Sequence, residues 1–357
     1  MNSKSIETSV IIIGSGPAGV GTSIYLSLAG IKHVIIEKET FPRDKVCGDA
    51  ISGKSAHVLR KANPQWLQEV FQQPHNFTPS NGIVFVAPNG KPMRVPFGEH
   101  LKEGELAPGF TSPRLVFDNF LFSKIDRNYA TVFEGAVIHS LEKNSNGVTV
   151  AFKNHEQDYV VKAPLIVACD GDKSKVRKAF VNDDISDKSY SVGLRAYYKN
   201  VEGLDKNGYI ELHFLKEVLP GYFWIFPLPN GMANVGVGLL SSVVRANKIN
   251  LREQMLKAIE QNPTISHRFK NASLEGKIQG WGLPMGMSRQ SISGDNYMLC
   301  GDAARLIDPF SGEGIGNALY SGMLAGEAIA RCLPKNDFSA ATLKLEYDDT
   351  LYRRLGD

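Results

Sequence analysis

The sequence predicts an α/β chain, α+β overall, in which a parallel-sheet domain of the dinucleotide-binding type is interrupted by an inserted antiparallel β-sheet domain. Three observations predict it. A strand–turn–helix–strand unit opens the chain as "SVIIIGSGPAGVGTSIYLSLAGIKHVIIEKE". Two further apolar strands, "LIVACDGD" and "YMLCGDAA", recur far downstream, and each ends in glycine and aspartate. Between them lies a stretch of short, turn-separated strands in which no βαβ unit repeats.

The opening unit carries the strongest signal. Val10 to Ile13 is a short, wholly apolar run, suited to a strand buried on both faces. Gly14, Gly16 and Gly19 then give G-x-G-x-x-G, with Pro17 and Ala18 in the first helical turn, where a missing N–H does no harm. The helix should run to Gly30 and a second strand from His33 to Ile36, ending at Glu37 with Lys38 beside it. Each glycine has a reason: a tight turn, a close approach of backbone to pyrophosphate, and close helix–strand packing. The helix N-terminus presents N–H groups to phosphate, and an acid at the position of Glu37 suits a ribose hydroxyl. The alternative is a glycine-rich turn in an ordinary α/β domain. The reading is a Rossmann-like dinucleotide site.

Leu165 to Cys169 should be another strand of the same sheet, ending in Asp170-Gly171, with Ser174 and Arg177 at a helix start. Tyr297 to Cys300 should be a third, followed by Gly301-Asp302, a loop with Pro309, Gly312, Gly314 and Gly316, and a long helix of small residues. "SPRLVFDNFL" opens a helix at Arg114, with Phe117, Phe120 and Leu121 inward. Together with the opening unit these segments resemble the flavoprotein superfamily that includes p-hydroxybenzoate hydroxylase. The resemblance implies FAD as the cofactor. It implies that Asp302 binds the ribityl chain, that Gly314 and Ile315 present N–H groups to the flavin, and that Arg114 lies near the cofactor; Lys38, Asp170, Gly171, Gly301, Pro309 and Gly312 are the further cofactor-contact candidates. Taken alone, Asp302 reads as a helix N-cap and Arg114 as a solvated surface arginine. The motif positions make the FAD domain discontinuous: residues 1–80, 105–188 and 281–334, with 81–104 and 189–280 as the substrate domain and 335–357 as a C-terminal helical segment.

In the insertion, "SVGLRAYYKN", "GYIELHFL", "GYFWIFPL" and "MANVGVGLL" read as consecutive antiparallel strands. Gly82 to Phe97 reads as a hairpin with a Pro-Asn-Gly turn, and Leu251 to Ile259 as a helix. A curved sheet with one helix, lying over the flavin, would form a substrate chamber. Alternation puts Tyr222, Trp224 and Phe226 on one face of their strand. Gly236 and Gly238 let a neighbouring strand come close or leave a ligand room. An aromatic stripe alone is more often core. Here the pattern Tyr222-x-Trp224-x-Phe226-Pro227 followed by Gly236-x-Gly238 resembles the signature of the geranylgeranyl reductase family. The loop "FPRDKVCGDAIS" extends that resemblance through Cys47 and Gly48, which would run close to the isoalloxazine. Arg43 and Lys45 flank Cys47 and favour a thiolate; Arg43 is a candidate cofactor contact as well. Cys169 and Cys300 end apolar strands and read as core. Two features depart from the family: "CGDA" is less glycine-rich than some members, and with the sequence ending at Asp357 the C-terminal substrate-contacting helices of the family are expected to be short or absent.

Composition narrows the classes. With 43% apolar and 22% charged residues the balance is globular, and a net charge of +3 with no basic tract argues against nucleic acid. The four cysteines show no metal-ligand spacing and are too few for a disulfide framework. No metal is expected. No cleavable signal or bilayer-length apolar run is apparent, so the expectation is a cytoplasmic compartment, with peripheral membrane contact left open; a monomer is expected separately. The functional expectation is an FAD-dependent oxidoreductase that reduces C=C bonds of a geranylgeranyl-type chain by hydride transfer from flavin N5. Cys47, Tyr222 and Trp224 are the catalytic candidates; Tyr222, Trp224, Phe226, Gly236 and Gly238 form the substrate wall. NAD(P)H or a ferredoxin-type donor would reduce the flavin. The rivals are a flavin monooxygenase or halogenase acting on an aromatic substrate, and a non-enzymatic prenyl-binding escort. The halogenase tryptophan motif W-x-W-x-I-P is broken here by Tyr222 and Phe226.

Overall fold

A computed structural model describes residues 3–98, 106–145, 147–181, 183 and 185–356. The chain divides into two compact units, residues 1–43, 118–184 and 284–357 in one, and 44–117 and 185–283 in the other.

The first unit is built on a six-stranded sheet. Its order is Ser293–Gly294, Tyr297–Leu299, Leu165–Ala168, Val10–Ile13, His33–Ile36 and Ala130–Phe133. The last five are mutually parallel, and Ser293–Gly294 runs antiparallel at the edge. The expected strands at 10–13 and 33–36 have the expected bounds, because each is a four-residue β-branched or apolar run that is buried on both faces. The helices Pro17–Leu28 and Ile315–Cys332 pack tightly together. Small residues permit it: a Cβ on Gly322 would lie 2.1 Å from the Ala18 carbonyl oxygen, so only glycine allows that backbone approach. A four-stranded sheet, ordered Lys4–Glu7, Gln157–Ala163, Gly147–Asn154 and Ala136–Asn144, completes the unit and was not anticipated from the sequence. The C-terminal helical turns from Ala340 to Leu355 belong here, anchored by fully buried Tyr347, whose hydroxyl donates to the Leu299 carbonyl at 2.8 Å.

The second unit is built on a seven-stranded sheet ordered Ser273–Pro284, Tyr190–Lys199, Met232–Leu240, Tyr222–Leu228, Ile210–His213, Gly82–Val86 and Pro92–Pro96. The hairpin at 82–96 is present, and Gly82–Val86 joins Ile210–His213 in parallel, where a wholly antiparallel sheet was expected. One face packs on the helix Leu251–Gln261 through Phe223, Ile225, Val235, Val237, Met255 and Ile259. The other face holds Leu212, Trp224 and Phe226, with Tyr222 packed against them. A small sheet of Ala50–Ile51, Gly109–Thr111 and Thr78–Ser80 and the helices Gly53–Ala62 and Pro64–Phe71 complete this unit. Residues 44–80 and 106–117 thus cluster with the large sheet, whereas the sequence expectation grouped them with the cofactor domain. The expected boundary at 104/105 lies outside the described residues.

Candidate active site

In the first unit the glycine turn has the shape of a phosphate cradle. Gly14 adopts φ +92°, and a Cβ there would sit 2.5 Å from the Cys169 carbonyl oxygen. A Cβ on Gly19 would lie 1.9 Å from the Gly14 carbonyl oxygen, so helix and turn touch backbone to backbone. Gly16, the residue before Pro17, offers no side-chain cap to the helix, and its α-carbon faces one group, a guanidinium nitrogen of Arg43 at 3.5 Å from the Cβ position. Arg43 is held there by a 2.5 Å ion pair with buried Asp118 and by the Phe41 ring beneath it. An uncapped helix N-terminus next to a fixed cation suits a pyrophosphate. Ala18 is buried in the first turn. Glu37 is buried, and its carboxylate accepts from the Ser15 N–H and hydroxyl at 2.6 and 2.8 Å and from the Glu39 N–H at 2.9 Å. Three acceptor positions are filled, which leaves one for a ribose hydroxyl. Lys38 points elsewhere, exposed and paired with Glu39 at 3.7 Å.

The downstream motifs converge as well. Asp302 lies in a short 3-10 turn, Gly301–Ala304, with one carboxylate oxygen 3.7 Å from the Cβ position of Gly314. Gly314 precedes the helix that starts at Ile315 and supplies no side-chain cap, while the Glu313 carboxylate takes the Gly316 N–H at 2.9 Å. Pro309 and Gly312 shape the intervening turn, in which Asp308 accepts from the N–H groups of Phe310 and Ser311. One carboxylate oxygen of Asp170 accepts from the N–H of Lys175 at 2.7 Å and of Val176 at 3.4 Å, the other is buried without a hydrogen-bond partner, and burial pushes the carboxyl above the ordinary range; the helix that follows is capped by Ser174. Gly171, at φ +78°, has open space on its Cβ side. Arg177 is forked onto Asp183 at 2.8 and 2.6 Å.

In the second unit three cross-strand rows make one face: Gly193–Gly238–Tyr222, Arg195–Gly236–Trp224 and Tyr197–Asn234–Phe226. Trp224 lies across the glycines. A Cβ on Gly236 would be 2.2 Å from its Cζ2, and one on Gly238 would be 3.7 Å from its Cζ3. The indole thus occupies the space above these glycines, and at Gly236 the neighbouring strand comes close as well, with the Leu194 carbonyl oxygen 2.2 Å from the Cβ position. Tyr222 and Trp224 meet edge to face at 6.1 Å, and Trp224 and Phe226 stack at 6.1 Å. Trp224 and Phe226 are buried, and Tyr222 is half-buried.

The Cys47–Gly48 loop is laid against this face. A Cβ on Gly48 would lie 3.1 Å from a ring carbon of Phe226 and 3.7 Å from the Trp224 Nε1. Cys47 is half-buried, whereas the other three cysteines are buried. Lys45 extends over the Trp281 ring at 5.9 Å. Arg114 is buried, not the solvated surface residue of the alternative reading, and its charge acts on Asp49. The structure thus brings Cys47, Gly48, Tyr222, Trp224, Phe226, Gly236 and Gly238 together.

Sequence reasoning missed the polar group that ties them. Asp49, fully buried at φ +64°, accepts from the Tyr197 hydroxyl at 2.7 Å and the Asn234 amide at 2.8 Å. Asn234 also donates to the Cys47 carbonyl at 2.7 Å and accepts from the Trp224 indole N–H at 2.8 Å. Arg195, behind them, bonds Asp44 and Gln279 at 2.8 and 3.0 Å. The available signal was a polar residue inside the apolar strand "MANVGVGLL", since a buried amide needs partners.

Among the described residues no group of metal-binding side chains occurs, and no helix is long and apolar enough to cross a membrane. Residues 7–337 match the family described as FAD binding domain. The chain is 31% identical over 344 residues to a digeranylgeranylglycerophospholipid reductase of Methanocaldococcus jannaschii, covering 95% of this chain and 81% of that protein. It is 30% identical over 329 residues to a menaquinone reductase of Mycolicibacterium smegmatis, covering 89% and 75%. A solved geranylgeranyl bacteriochlorophyll reductase-like protein of Thermoplasma acidophilum superposes with a TM-score of 0.84 at 25% identity, over 98% of this chain and 84% of that one. Solved flavin-dependent halogenases, below 25% identity, share the fold alone. The cradle fits the dinucleotide half of FAD and the sequence matches the family end to end of its core motifs; the chain belongs to the FAD binding domain family, among the geranylgeranyl reductase-type flavoproteins, and is an FAD-dependent oxidoreductase.

Proposed function

We propose that this enzyme reduces isolated C=C bonds in a prenyl chain of geranylgeranyl type. The observation that carries the reading is the apolar face of Tyr222, Trp224 and Phe226 with the Cys47–Gly48 loop fastened against it. The relatives' names, one a prenyl-lipid reductase and one a menaquinone reductase, support a substrate with a long isoprenoid chain. In this reading the first unit holds FAD through Gly14, Gly16, Pro17, Ala18, Gly19, Glu37, Arg43, Asp302, Gly314 and Ile315, and the second receives the chain.

Reduced FAD, when bound, supplies the hydride. The protein's own groups do the rest. A hydride on one alkene carbon and a proton on the other balance the addition. An isolated alkene is unactivated, so positive charge builds on carbon as the proton arrives, and the Trp224 face stabilises it. Cys47 and Tyr222, the half-buried proton carriers of this face, are the proton donors proposed. The aromatic wall positions the chain and keeps water out. NAD(P)H or a ferredoxin-type protein is the proposed source of electrons.

The test is anaerobic incubation of the reduced, FAD-loaded enzyme with a digeranylgeranyl glycerophospholipid and, in parallel, with menaquinone. Mass spectrometry should find products heavier by pairs of hydrogens on the isoprenoid portion. Unchanged mass for both substrates refutes the proposal. Cys47→Ala and Tyr222→Phe then separate the two donors: the true one loses turnover while cofactor content holds.

A further inference from the structure

The hydrogen bonds around Asn234 have only one consistent orientation. An indole N–H can only donate, so the atom that Trp224 addresses is the amide oxygen. The amide nitrogen must then spend both protons, one on the Cys47 carbonyl and one on the Asp49 carboxyl. Asn234 is thus a fully used hub joining the indole to the loop, and Asp49 is the group that completes it. Asp49 is fully buried, and its second carboxylate oxygen has no hydrogen-bond partner.

We propose that Asp49 is a positioning residue: through Asn234 it sets the lie of the Trp224 indole and the Cys47–Gly48 loop, and its ionisation couples both to pH. This rests on the reading of that face as the substrate wall, but the coupling itself does not. An ionised Asp49 accepts charge-assisted bonds from Tyr197 and Asn234; the protonated acid accepts weaker ones. Burial pushes the Asp49 carboxyl up to about 6, against the opposing pull of Tyr197, Asn234, Arg195 and Arg114. The change therefore falls near neutrality, with the loop held above about pH 6 and loosened below it. Neighbouring groups do not blur that window. Burial and the Asp49 charge push the Tyr197 phenol far up, so it stays a donor. Arg195 stays charged, with Asp44 as its partner, and Arg114 is an arginine and stays charged too.

The readout is the indole ¹H–¹⁵N resonance of Trp224 in the FAD-loaded protein labelled at tryptophan. Trp66 and Trp281 serve as internal controls, and Trp224→Phe gives the assignment. The Trp224 resonance should titrate with a midpoint near pH 6 while the controls stay flat. Asp49→Asn imitates the protonated acid, since its carbonyl can accept both bonds, and asparagine tolerates a positive φ. That variant should hold the low-pH position at every pH. Tyr197→Phe, which deletes one bond to the ionised form, should move the midpoint upward. With the prenyl substrate, Asp49→Asn should cut kcat roughly tenfold, the worth of one charge-assisted bond, with KM little changed. A Trp224 resonance that does not titrate between pH 5 and 7.5, or that titrates alike in Asp49→Asn, overturns the proposal. A clean titration with no turnover of any prenyl substrate leaves the coupling standing and removes the prenyl reading instead.

Discussion

The cradle in the first unit and the aromatic face in the second are built on opposite plans. The cradle is backbone: its turn, its helix start and the acid that follows come from one contiguous stretch, Val10 to Glu37. The face is side chains from strands far apart in sequence, aligned only by register, with Arg195, Gly236 and Trp224 in one row and Tyr197, Asn234 and Phe226 in the next. Glycine means different things in the two. In the cradle it lets backbone meet backbone, as at Gly19; on the sheet, at Gly236, it lets an indole lie flat as well as a neighbouring carbonyl come close. A local site should fail locally and completely, and an assembled one should fail by degrees.

The largest effects separate the two plans. Gly19→Ala forces a Cβ to within 1.9 Å of a backbone oxygen that cannot swing away. The purified protein should lose its flavin absorbance while the Trp224 indole resonance keeps its position. Gly236→Ala should do the reverse, because its Cβ would meet Trp224 at 2.2 Å and the Leu194 carbonyl at 2.2 Å. It should retain flavin, shift the indole resonance, and lower stability by about 1–3 kcal/mol, as overpacking does. Flavin content, tryptophan NMR and a thermal melt on both variants check this. A Gly236→Ala protein that loses flavin as fully as Gly19→Ala would erase the distinction between the two plans.

Next in size is the stability that Asp49 gives up. Its ordinary pKa is 3.8, and in the folded chain it is pushed up to about 6. Folding therefore favours its protonated form. The stabilising contribution is full below pH ~4, fades as pH rises through about 6, and is absent above it. A shift of that size corresponds to at most about 3 kcal/mol. Asp49→Asn keeps a neutral acceptor at every pH, so it should melt with wild type at pH 4 and a few degrees above it at pH 8. Equal melting temperatures at both pH values would show that the carboxyl is solvated, and would take away the cost that marks it as a functional group.

These contrasts explain what could be read in advance. Strands at 10–13 and 33–36 and the cradle were legible because a glycine spacing and a four-residue apolar run act within one turn of chain. Alternation also placed Tyr222, Trp224 and Phe226 on a common face correctly. Asp49, Tyr197 and Asn234 were not legible, because nothing in any one segment says that residue 234 stands opposite 197 and 226. Gly236 and Gly238 were read as letting a neighbouring strand come close or leaving a ligand room; the close strand holds at Gly236, against the Leu194 carbonyl, while only the register shows the indole that lies there too.

The smallest effects distinguish two cations close together in sequence. Arg43 and Lys38 were both candidate cofactor contacts. Arg43 is held by Asp118 and the Phe41 ring, with a guanidinium nitrogen at the Gly16 turn, whereas Lys38 is 75% exposed and pairs with Glu39 at 3.7 Å. A fixed cation beside a helix N-terminus adds to phosphate binding without an ordering cost, and a mobile, screened one adds little. Truncating Arg43 alone would remove a charge partner from the buried Asp118 carboxylate and confuse binding with folding. The fair variant is therefore Arg43→Gln with Asp118→Asn, which removes both charges together. Titration of the apoprotein with FAD should show its affinity down by roughly tenfold, about 1.4 kcal/mol, while Lys38→Ala stays within about twofold. Equal losses from the two variants would mean that the cradle attracts its cofactor by diffuse charge, and that the placement of Arg43 against Gly16 has no binding consequence.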